Sequence, residues 1–149
     1  MASYETIAEA QVYFDGRLNT DAWDDASTTD RTKALSQSTR IIDRLNYAGK
    51  KNSSTQENKF PRYDDTTVPQ DIKDACSEIA LALLDGVDPE MEFENLNMNS
   101  LVYADIKSNF NRGDGVPLHI VAGVPSSVAW RYLFPYLRDP YAVGLSRTS

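Results

Sequence analysis

Apolar residues recur at helical spacing in two long stretches of this chain and at looser spacing elsewhere. Ala34, Leu35, Ser38, Ile41, Ile42 and Leu45 share one face if the chain coils from Ser27, with Asp30 completing the start signal and Gly49 offering a stop. Ile72, Ala75, Cys76, Ile79, Ala80, Leu83 and Leu84 form a second stripe between Pro69 and Gly86. Stripes of that width are expected to bury each other. A shorter face, Ile7, Ala8, Ala10, Val12 and Phe14, follows a Thr6–Glu9 capping box and runs to Gly16. Trp23 lies in an acidic, irregular stretch, and its size predicts burial against the first two helices.

The remaining pattern is not helical throughout. Residues 50–67 are polar, with Phe60-Pro61-Arg62 as the apolar anchor, which predicts a long surface loop. After Asp88-Pro89, Val102, Ala104 and Ile106 alternate with Leu101, Tyr103 and Asp105. The turn-forming Asn111, Gly113, Asp114 and Gly115 and the apolar run 116–121 follow, which predicts a β-hairpin near 101–121. A short helix from Ser127 to Phe134 is stopped by Pro135. The fold class is therefore mainly α: a small helical bundle with a β-hairpin over residues 1–135, and an extended C-terminal tail over 136–149. That tail mixes tyrosines and arginines, residue types that anchor interfaces.

Composition narrows the chemistry. The formal net charge is −7, which opposes a broad grip on a phosphate backbone. The single histidine, His119, lies in an apolar run between Pro117 and Val121 and is expected to be structural. Neither a His-based triad nor a zinc set, which one His and one Cys would leave mostly to carboxylates, is expected, and Cys76 falls on an apolar stripe as a small core residue. Asp15, Asp21, Asp24, Asp25 and Asp30 lack the spacing of a calcium loop, and Gly113-Asp114-Gly115 is a turn, not a nucleotide fingerprint. No catalytic residue, metal or cofactor is expected. The apolar runs are too short for a membrane span and the N-terminus lacks a signal core, so the expected place of synthesis is the cytoplasm, with no membrane partner.

The blocks YETIAEAQVYFDGRL…AW, KALSQSTRIIDRLNYAGKK, FPR, VPQDIKDACSEIALALLDG and GVPSSVAWRYLFPYLRD resemble the tailed-phage proteins labelled DnaT-like, over nearly the whole chain. That group looks like the head–tail connector, or adaptor, proteins beneath the phage portal. The resemblance implies a virion structural protein made in the host cytoplasm, assembled as a homo-oligomeric ring, dodecameric to match the portal. One face would meet the portal protein and the other a tail or neck protein, with double-stranded DNA passing the channel. Carried onto this chain, portal docking would fall to Tyr136, Leu137, Arg138, Tyr141, Leu145 and Arg147. Lower-neck or inter-subunit contact would fall to Lys51, Lys59, Phe60 and Arg62. The alternative is a DnaT-like single-stranded DNA-binding protein, in which Trp130-Arg131-Tyr132 and Tyr136 to Arg138 stack bases and hold phosphates.

Overall fold

In a computed structural model that describes residues 2–88 and 118–138, the local start signals form as the sequence predicts. The Thr6 hydroxyl accepts from the Glu9 amide at 3.1 Å, and the Glu9 carboxylate accepts from the Thr6 amide at 3.0 Å, opening α1 (Ile7–Asp15). A single turn, α2 (Asp21–Asp24), carries Trp23 into the core. The Ser27 hydroxyl caps α3 (Thr28–Asp43) by accepting from Asp30 N at 3.1 Å. Pro69 precedes α4 (Gln70–Leu84), and Gly86 at φ 93 closes it, with Val87 N donating to Ala82 O and Gly86 N to Leu83 O. After residue 118 come α5 (Leu118–Val121), α6 (Ser127–Leu133) and a 3₁₀ turn (Phe134–Tyr136).

α4 is the central element. Eight of its residues are buried, Ile72 and Ala75 to Leu81 without a break, so it is covered nearly all round. α3 packs on it most extensively, α6 next, and α1 and α2 complete the cover. Trp23 is fully buried, with its ring 4.7 Å from Phe14 and its indole N–H on Gln11. Each fully buried aliphatic side chain, such as Ile42, Ile72 or Ile79, contributes roughly 1.5–3 kcal/mol.

Three expectations change. α3 ends at Asp43, before Gly49: Arg44 N and Leu45 N tighten onto Ile41 O and Ile42 O, and Tyr47 turns inward with its hydroxyl on Ile42 O at 2.7 Å. Second, the described residues contain no strand, and the proposed second arm of the hairpin is instead α5. Gly123 at φ 86 stops this helix, Val124 N donates to His119 O at 2.8 Å, and the His119 ring Nδ1–H donates to Val124 O. The first arm, from 101, lies outside the described residues. Third, the chain stays on the domain past Pro135: Leu137 is buried and forms an antiparallel bridge with Tyr47.

Polar groups hold the segment before α1. Tyr4 N donates to Thr39 Oγ1 at 3.0 Å, and the Tyr4 hydroxyl donates to Asp43 while accepting from Phe60 N. Next to it Glu5 is 3 % exposed and accepts from the Ser77 hydroxyl of α4. Burial raises the Glu5 carboxyl to about 7, with Asp74 and Glu9 adding repulsion and Ser77 and Lys73 opposing it. A raised carboxyl means the folded protein retains a proton that the unfolded chain releases. Its stabilising share is therefore complete below pH ~4.5 and is lost as pH rises through about 7, an amount of about 3 kcal/mol. Glu5→Gln keeps the acceptor for Ser77 and removes the titration. Urea unfolding is expected to find it more stable than the parent at pH 8.5 and nearly equal at pH 5; parallel curves at both pH values would refute the burial of an ionising Glu5.

Candidate nucleic-acid interface

The loop that resembles a contact surface in sequence is built inward. Phe60 is buried, with ring edges against Tyr4, Tyr47 and Tyr136 at 6.2, 4.7 and 5.7 Å. Arg62 is 7 % exposed, and backbone carbonyls surround its guanidinium: Nε donates to Ala48 O at 2.9 Å, Nη1 to Lys59 O at 3.0 Å and Nη2 to Gly49 O at 2.7 Å. Its plane also lies over the Tyr47 and Phe60 rings. Lys51 and Lys59 are half-buried, their ammonium groups donating to Gln56 O and Leu45 O. A bridge between Lys51 and Arg62 closes the loop.

Of the tail residues, Tyr136 is half-buried with its hydroxyl on Asp71, and Leu137 is in the core. Arg138 is exposed at the surface while its amide donates to Asn46 O. Tyr141, Leu145 and Arg147 lie outside the described residues. Trp130 and Leu133 fill the core, and Tyr132 meets the Tyr13 hydroxyl at 3.5 Å. The stacking set Trp130-Arg131-Tyr132 therefore presents only Arg131 as an exposed side chain.

Other cations also face the protein itself. Arg17 pairs with the buried Glu78 at 2.5 Å, a contact that holds the guanidinium above its ordinary range, and the same carboxylate accepts from Tyr13. Burial and that carboxylate together push the Tyr13 hydroxyl far above the usual phenol range. Arg31 donates to Trp23 O and Asp24 O and covers the Trp23 ring; Lys73 pairs with Glu9. Burial raises the Cys76 thiol to about 12, so it stays protonated and inert, as its place on the apolar stripe implies.

Besides the isolated Lys50, Arg131 and Arg138, the exposed cations of the described residues form a stripe on α3. Lys33, Gln37, Arg40 and Arg44 are all exposed and recur at intervals of four, three and four residues, on the side opposite Leu35, Ser38 and Ile42. The stripe spans roughly 16 Å at 1.5 Å per residue. Asp30 stands at its N-terminal end. Its C-terminal half borders a groove of about 520 Å³ lined by Gln37, Arg40, Ile41, Arg44, Leu83, Gly86, Val87, Asp88 and Gly123. Ile41, Leu83 and Val87 supply apolar surface, and among the described residues Asp88 is the carboxylate that lines it. A second crevice, about 510 Å³, contains Asp21, Glu78 and Asp85, and its Arg17 is already paired. An anion therefore fits the first groove better than the second. Among the described residues no group of side chains is arranged to hold a metal ion, and no helix is long and apolar enough to cross a membrane. The signal for the α3 stripe was present in the sequence as the complement of its apolar face.

A family model described as "Putative DnaT-like ssDNA binding protein" matches residues 1–111. Searches of curated proteins and of solved structures found no match. Replacing Arg62 by lysine removes the fork and leaves the half-buried carbonyls of Ala48, Gly49 and Lys59 short of donors, which is expected to lower stability by about 1–3 kcal/mol in urea unfolding. A loss below about 0.5 kcal/mol, the scale of an ordinary surface change, would contradict the structural role given to Arg62.

Proposed function

The chain belongs to the DnaT-like single-stranded DNA-binding family, and on that premise we propose that it binds a short stretch of single-stranded DNA, without catalysis, along the outer face of α3. The observation that carries this reading is the stripe Lys33, Gln37, Arg40 and Arg44, presented outward on one helix face, whereas Arg17, Arg31, Lys51, Lys59, Arg62 and Lys73 are engaged by the protein itself. Three cations over roughly 16 Å match a few successive phosphates, and the apolar side of the groove offers contact to sugar and base. The mode is local. With a net charge of −7, attraction exists only where the stripe outweighs the surrounding carboxylates.

Three phosphate contacts predict a log K against log salt slope of about −2 on an oligothymidylate, and Arg40→Gln with Arg44→Gln should reduce it to about −0.7. Fluorescence anisotropy across a salt series measures both. No binding at low salt rejects the reading, and an unchanged slope in the double variant moves the contact off α3.

A second reading, the head–tail adaptor ring, is favoured by the acidic charge and by the block GVPSSVAWRYLFPYLRD, which extends the sequence resemblance beyond residue 111. In this reading DNA passes an acidic wall and is not gripped, and portal docking falls to the residues after Arg138. Deleting residues 139–149 leaves Leu137 in place, so the domain is expected to keep its helical circular-dichroism spectrum while losing capture by purified portal rings. Undiminished capture would remove the tail from this role, and absence of capture by the full chain would remove the adaptor reading.

A further inference from the structure

Tyr63 is the aromatic side chain that the described residues leave open to solvent, at 60 % exposure. It stands at φ 57, a left-handed conformation that residues with a side chain adopt sparingly. Its ring lies directly over Gly49, itself at φ 80, and a Cβ on Gly49 would collide with it. The perch is fixed from both sides. Tyr63 N donates to Lys50 O at 2.9 Å, the Asn52 side chain donates to Tyr63 O at 3.0 Å, and the neighbouring Arg62 ties down Ala48 O and Gly49 O. No packing need explains the arrangement, because most of the side chain is outside.

We propose that Tyr63 is a stacking platform for one unpaired nucleobase, an assignment that rests on the single-strand reading above. Two exposed cations belong to the same corner: Lys50, which follows Gly49 in the chain and whose carbonyl accepts from Tyr63 N, and Arg138, whose guanidinium lies 3.5 Å from Gly49 O. The exposed Asp64 and Asp65 follow Tyr63 directly, which makes the corner poor for phosphate on that side. The base therefore goes on the ring and the backbone charge toward Lys50 and Arg138. A ring held in one orientation loses little freedom on stacking, and every base offers a flat face, so the contact tolerates any sequence. The corner follows the C-terminal end of α3, past Arg44.

The test uses the full chain with a fluorescein-labelled oligothymidylate. Tyr63→Ala is expected to weaken binding by about tenfold, and Tyr63→Phe to keep it. Gly49→Ala, which displaces the ring without removing it, should approach the Tyr63→Ala value while the circular-dichroism spectrum is retained. Irradiation of a 5-bromodeoxyuridine oligonucleotide should crosslink the peptide that contains Tyr63. If the parent binds with the salt slope of the α3 stripe but Tyr63→Ala binds equally and the crosslink maps elsewhere, the platform is overturned and the single-strand reading stands. If the parent does not bind, that reading falls and this assignment with it.

Discussion

A guanidinium partnered by carbonyls, not by a carboxylate, holds the non-helical part of this molecule in shape. Arg62 collects the oxygens of Ala48, Gly49 and Lys59, three groups that a polar loop would otherwise leave to water. Taking a charged side chain out of solvent is costly, and the rigid fork offsets this by satisfying several acceptors at once. With those carbonyls fixed, Phe60 enters the core among Tyr4, Tyr47 and Tyr136. The same anchoring places Tyr63 over Gly49 on the outside. One cation therefore sets both the inner and the outer surface of the loop.

Charge is divided by direction as well as by number. Glu78 and Arg17 neutralise each other beside α4, Arg31 covers Trp23, and Lys73 meets Glu9. These pairings remove cations from the surface of an already acidic chain. Among the described residues, what remains positive is local, unlike the broad basic face on which many nucleic-acid binders rely. The proposed contact with single-stranded DNA rests on that small basic stripe, and the net charge of −7 is what the connector proposal draws on.

The helices were legible where their signals are local. Thr6 with Glu9, Ser27 with Asp30, and Gly86 after the second stripe each act within one turn, and each forms as read. The run before Val121 was misread because a few apolar residues fit a strand and a helix equally; the glycine at 123 decides the matter through a left-handed stop. The resemblance assigns Phe60 and Arg62 to a contact surface, whereas their partners lie within the chain, at Tyr4, Tyr47, Ala48 and Tyr136. Hydrophobic periodicity carries no record of such contacts. The basic stripe of α3 is encoded only as the complement of its apolar face, and Tyr63 belongs to no periodic pattern.

The bridge between Tyr47 and Leu137 has a consequence for how the chain is made. Ribosomes release the protein from its N-terminus, and Tyr47 emerges long before the strand-like segment that covers it. Ala48 N and Asn46 O likewise wait for Tyr136 O and Arg138 N. Until then the aromatic cluster around Phe60 is open on one side, exposing apolar surface on the nascent chain. Closure of this cluster therefore waits for residues 136–138, the last of the described segments to be synthesised.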